Sequence, residues 1–110
     1  MGRIKLKFYD KTYVIEFANR IEVKEYFAQV SKIKGESEME NSIKALVLLL
    51  KAGLVEHHKH EMPSDEELER WATSMPNAEQ FYQKLMSMVQ EVINSMDNDT
   101  KNLKWEVESD

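Results

Sequence analysis

The chain has no cysteine, and only three glycines and two prolines among its 110 residues. Without cysteine there can be neither a disulfide framework nor a Cys-bearing zinc site. None of the glycines lies in a phosphate-cradling pattern, so no turn is suited to a dinucleotide or nucleoside triphosphate. No apolar run approaches the roughly 20 residues that a bilayer-crossing helix needs. The first residues alternate charged with apolar side chains, where a signal peptide would carry a continuous apolar stretch. The expected location is the cytoplasm, with no membrane partner. Basic residues are outnumbered by acidic ones, 15 to 20. The net charge is -5, with Arg3, Lys5, Lys7 and Lys11 at one end and Asp97, Asp99, Glu106, Glu108 and Asp110 at the other. Phosphate affinity grows with the number of cations presented together, so nucleic acid is not an expected partner.

The dominant feature present is the run IKALVLLLKAGL, positions 43 to 54, in which Ala45, Leu46, Val47, Leu48, Leu49 and Leu50 cover every face of a helix. Such a helix needs neighbours on all sides, which makes it the expected centre of the domain. It should run from about Met39 to His57, with Glu40, Lys44 and Lys51 as a narrow polar seam. Gly53 near its end would permit close approach of another backbone or weaken the last turn. Upstream, Ile4, Leu6 and Phe8, then Tyr13, Ile15 and Phe17, alternate with other residues about the break Tyr9-Asp10-Lys11-Thr12. That pattern predicts a β-hairpin with one buried face. Asn19 is a candidate N-cap for a helix over 20–34 ended by Gly35, and the charged connector GESEMENS, apolar only at Met39, follows it. Pro63 and the capping box Ser64-Asp65-Glu66-Glu67 start a short helix ending near Met75.

The last predicted helix spans about Asn77 to Met96. Ala78, Tyr82, Leu85, Val89, Val92 and Met96 recur along it at heptad-like spacing, and Phe81, Met88 and Ile93 widen the stripe. Beyond it the polar segment DNDTKNLKWEVESD is expected to be an acidic, flexible tail, or to add Leu103, Trp105 and Val107 to the hairpin as a strand. The expected architecture is α+β: an N-terminal hairpin packed on a bundle of about four helices around a fully apolar central helix, in a single domain over 1–96 with a tail over 97–110.

Candidate chemistry is thin. Glu56-His57-His58-Lys59-His60-Glu61 combines imidazole with carboxylate, as a zinc or other divalent-metal site would. Lys59 interrupts it and no second ligand group appears elsewhere. A solvated helix end, where histidine meets the negative dipole, explains the same residues and would make them dispensable. Asp65, Glu66, Glu67 and Glu69 read as a helix start instead of an acid/base pair. No catalytic, cofactor-binding or metal residue is assigned, and an enzyme is not expected. The seven methionines, among them Met86, Met88 and Met96, fit either core gap-filling or an adaptable apolar surface. On the second view, Phe81, Leu85, Met88 and Val92 are the candidate partner-binding residues.

The order of these elements, and above all the helix LLLKAGL followed by the helix start PSDEEL, resembles the small tail assembly chaperones of long-tailed bacteriophages infecting Gram-positive hosts. The resemblance covers roughly positions 3 to 96. It implies a protein that coats the tape-measure protein and keeps it soluble until tail-tube subunits polymerise around it. It also implies a longer, frameshifted form whose extension recruits the tail-tube protein, with the acidic segment from Asp97 as the junction. Members of such families diverge strongly in sequence, so no binding residue is carried over from them. Other classes fit the same residues: a structural head-tail or tail-completion subunit, a small homo-oligomeric interaction protein using the hairpin edge, or a regulator that sequesters a factor through its apolar surface.

Overall fold

The computed structural model describes residues 2–18, 20–104 and 106–107, and of residues 97–102 the backbone alone. The fold is α+β. Two antiparallel strands, β1 (Ile4–Phe8) and β2 (Lys11–Ile15), precede four helices: α1 (Arg20–Val30), α2 (Glu38–His58), α3 (Asp65–Ser74) and α4 (Ala78–Asn102).

The hairpin forms as its alternation predicts, with Ile4 opposite Ile15, Leu6 opposite Tyr13 and Phe8 opposite Lys11. Tyr9 takes a left-handed φ of 56° to close the two-residue turn. Because side chains alternate across a strand, Ile4, Leu6, Phe8, Tyr13 and Ile15 share one face. That face packs on the helices: Trp71 of α3 lies 4.8 Å from the Tyr13 ring and 5.1 Å from that of Phe8, centroid to centroid.

α2 is the hub, contacting β2, α1 and α3. Ser37 caps it by accepting from the Glu40 N–H at 3.1 Å, and Ser64 caps α3 by accepting from the Glu67 N–H at 3.2 Å. Leu49, Leu50 and Leu54 are fully buried. The helix is not enclosed on every side, however. Ala45 and Leu48 are only partly buried, and Leu48 shares its strip with exposed Lys44 and partly buried Lys51. Lys51 pairs with Asp65 at the start of α3, and Lys44 pairs with Glu40 at 3.1 Å, so the seam is used for ion pairing.

α1 stops at Val30, short of the expected 34. Its last turn tightens, with Lys32 N–H bonding Gln29 O and Ile33 N–H bonding Val30 O, while the Ser31 hydroxyl donates to Ala28 O at 2.8 Å. A serine that satisfies nearby carbonyls in this way competes with continued helix. The expected N-cap, Asn19, lies outside the described residues. α4 runs antiparallel to α1, with Arg20 Nη2 donating to Ser95 Oγ at 3.3 Å near one end and the Tyr26 hydroxyl 3.9 Å from Met86 Sδ toward the other. Its backbone stays helical to Asn102, six residues beyond Met96, where the tail was expected to begin. Residues 103–104 and 106–107 belong to no strand, and the sheet among the described residues has two strands. No helix of the described residues is long and apolar enough to cross a membrane.

Candidate functional site

The four residues singled out on the last helix do not form an open surface. Leu85, Met88 and Val92 are 0%, 4% and 3% exposed and belong to the domain's own core, while Phe81 is half-buried. A heptad-like stripe reports which face of a helix is covered, and here α1 and the core cover it. Burial of three of the four leaves Phe81 as the candidate with any accessible surface.

The accessible apolar surface lies at the other end of that seam. Where α4 begins, Tyr82 faces Val30 and Ile33 from the end of α1 and Met39, Ile43 and Leu46 from the first half of α2, enclosing an open groove of 690 Å³. Met39 is 74% exposed on its lip. The groove exists because α1 ends early: Ile33, freed from the helical stripe, turns back over the first turns of α2. The Gly35 N–H donates to the Asn41 side-chain oxygen at 2.6 Å, holding that connector down. Glu79 lines the groove, and a second cleft sharing Met39 and Ile43 carries Glu40, Glu66 and Glu69 together with Lys44 and Arg70. An open apolar trough of this kind suits the apolar face of an amphipathic helix. Beneath it, burial pushes the Tyr26 hydroxyl well above the ordinary phenol range, and neighbouring Tyr82 pushes it the same way. The Tyr26 phenol therefore stays neutral at physiological pH. The one sequence signal for this site was Met39, a lone apolar residue in an acidic connector.

The histidine segment is not a merely solvated helix end. His58 Nε2 accepts from the Val14 N–H at 2.9 Å, and the His58 ring lies 5.1 Å from the Tyr13 ring. His57 Nε2 lies 2.8 Å from Glu16 Oε1, which also pairs with Arg3 at 3.0 Å. The hydrogen bond from His57, and then the Arg3 charge, hold the Glu16 carboxyl below the usual range against the opposing effect of partial burial. Beside them the Glu16 N–H donates to Gly53 O at 2.9 Å. The last turns of α2 thus satisfy the outer edge of β2, which explains these residues without metal chemistry. No group of three or more His, Cys, Asp or Glu among the described residues could hold a metal ion.

Gly53 is where the two backbones meet. A Cβ there would stand 2.5 Å from Ile15 Cγ2 and 3.0 Å from Phe17 Cζ. The glycine serves close approach and does not end the helix, which continues to His58.

Among the described residues, the buried indole N–H of Trp71 has no hydrogen-bond partner. It sits between the hairpin and α3, away from the groove, and its ring contacts with Phe8 and Tyr13 offset part of that cost.

No protein-family model matches the chain, and no curated protein or solved structure matches it either.

Proposed function

We propose that this protein is a phage tail assembly chaperone that binds the tape-measure protein and keeps it soluble during tail-tube assembly, acting in the host cytoplasm without catalysis or cofactor. The observation that carries this reading is the open apolar groove between the end of α1, the start of α2 and the start of α4, with Met39 exposed on its lip. A tape-measure rod offers amphipathic helix along its whole length, and a trough bordered by unbranched methionine tolerates side chains that vary from turn to turn. The element order resembling that of such chaperones supports the same assignment. A longer form extending past the acidic tail would bring in the tail-tube protein.

The test is co-expression with the large, coiled-coil-rich product of the adjacent gene. That product should be soluble only when this chain is present, and should co-purify with it. A neighbour that stays soluble alone, or never associates, would remove the proposal.

A second reading, a structural head-tail or tail-completion subunit, is favoured by a different observation: among the described residues no strand pairs with the outer edge of β1, an edge open to strand addition. The two separate on purified particles, since a chaperone is absent from the finished tail and a subunit remains in it.

A further inference from the structure

The two edges of the hairpin are treated differently. The N–H groups of Val14 and Glu16 point away from β1 and are taken by His58 and Gly53. With Val14 paired to Lys5 and Thr12 to Lys7, the antiparallel alternation turns the backbone groups of Lys5 and Lys7 outward on the opposite edge. Nothing among the described residues hydrogen-bonds them there, and both side chains are exposed on the sheet face away from the core. An open edge of this kind is a template for another strand.

The chain contains a segment that fits it. Leu103, Trp105 and Val107 alternate in sequence with Lys104, Glu106 and Glu108. Leu103 and Val107 are 75% and 79% exposed and outside any strand, so within one chain their apolar surface is uncovered. Laid along β1, their apolar face would continue that of Ile4, Leu6 and Phe8, while Glu106 and Glu108 would lie on the face of Lys5, Lys7 and Arg3. α4 carries this segment outward: six helical residues past Met96 advance it by about 9 Å. The molecule is correspondingly elongated, 63 × 33 × 26 Å.

We propose that residues 103–108 of a second copy add as a strand to the free edge of β1, and reciprocally, so that two copies form a dimer with two-fold symmetry. The proposal does not rest on the tape-measure reading. Each added strand extends the two-stranded sheet to three, with main-chain bonds providing attraction and the lysine–glutamate pairing fixing its face.

The test is sedimentation of the full chain and two charge variants, each checked for native helicity by circular dichroism. The parent should show twice the 13.0 kDa chain mass at micromolar concentration. Raising salt from about 0.1 to 1 M, which cuts the screening length from roughly 10 to 3 Å, should weaken that association. Lys5→Glu/Lys7→Glu and Glu106→Lys/Glu108→Lys should each be monomeric alone, because like charges then face each other. Mixed together, they should form a heterodimer, since both strand pairings regain opposite charges. Leu103→Asp/Val107→Asp, altering only exposed residues, should also be monomeric. A monomeric parent, dimers that survive in either charge variant or in the Asp pair, or a mixture that stays monomeric would each overturn the proposal.

Discussion

The C-terminal half of α2 is closed and its N-terminal half is open. From Leu49 to His58 the helix lies under β2 so tightly that Gly53 replaces a side chain, its carbonyl accepts a strand N–H, and two histidines clasp the strand's edge. From Glu38 to Leu46 the same helix borders α3 along one side, and a 690 Å³ trough remains between it, the end of α1 and the start of α4. Both halves are rich in apolar residues, so hydrophobicity alone does not set the difference. Closure needs a neighbour able to come within backbone distance, and the hairpin supplies one at a single end. The other end has a short connector pinned by Asn41 and an early-ending α1, so its apolar residues face a space instead of a partner.

The largest effect should come from the closed end. Leu49→Asp would bury an unpaired carboxylate at several kcal/mol, against a total stability of about 5 to 15, and should abolish the cooperative thermal transition. Leu48→Asp, one residue earlier, points along the strip of Lys44 and Lys51 and should cost only about 1 kcal/mol, measured by urea denaturation. Equal losses at the two positions would mean that the helix is enclosed on all sides.

Next in size are the contacts that close the strand onto the helix. Gly53→Ala gains helix propensity of about 1 kcal/mol but drives a methyl into Ile15, a buried β-branched residue with little room to yield. Overpacking of about 1 to 3 kcal/mol should prevail, making the variant less stable. His58→Phe keeps the aromatic contact with Tyr13 but leaves the Val14 N–H without its acceptor, and should cost about 1 to 3 kcal/mol. No change in either variant would mean that the strand is held elsewhere.

A smaller effect is expected from pH. The Glu16 carboxyl is depressed in the folded chain, so its contribution is present above the ordinary value of 4.5 and lost as pH falls through the lower folded value. Glu16→Gln should lower the melting temperature above that ordinary value and flatten the acid side of the profile, so that variant and parent converge as pH falls. Smallest of all for stability is Met39→Glu, within about 0.5 kcal/mol because the side chain is already exposed. Its expected effect is on binding: the co-expressed tape-measure protein should lose solubility while the variant itself stays folded.

The hairpin, the Ser64 cap and the burial of Leu49, Leu50 and Leu54 were legible because each follows from local pattern: alternation, capping spacing, and an apolar run. The Ser37 cap lay unread in the charged connector. The site was not legible either. Heptad spacing on α4 identified a covered face correctly, but spacing is silent on whether the cover is the domain itself or another molecule, and here α1 and the core supply it. His57 and His58 looked free because their partners, Glu16 and the Val14 N–H, lie 41 and 44 residues away. The groove depends on where α1 stops, at a turn where Ser31 donates back to Ala28 O and which no local spacing marked. Of its lining, only Met39 stood out beforehand, as an apolar residue without local reason in an acidic connector.

The most direct test of the central claim, that the open end of α2 is the partner's seat, is hydrogen exchange on this chain free and in complex with the tape-measure protein. Added protection should appear over residues 30–46 and 78–82, with none over 49–58, which lie away from the groove within α2. Protection concentrated on the hairpin or on the C-terminal half of α2, with the groove segments unchanged, would contradict it.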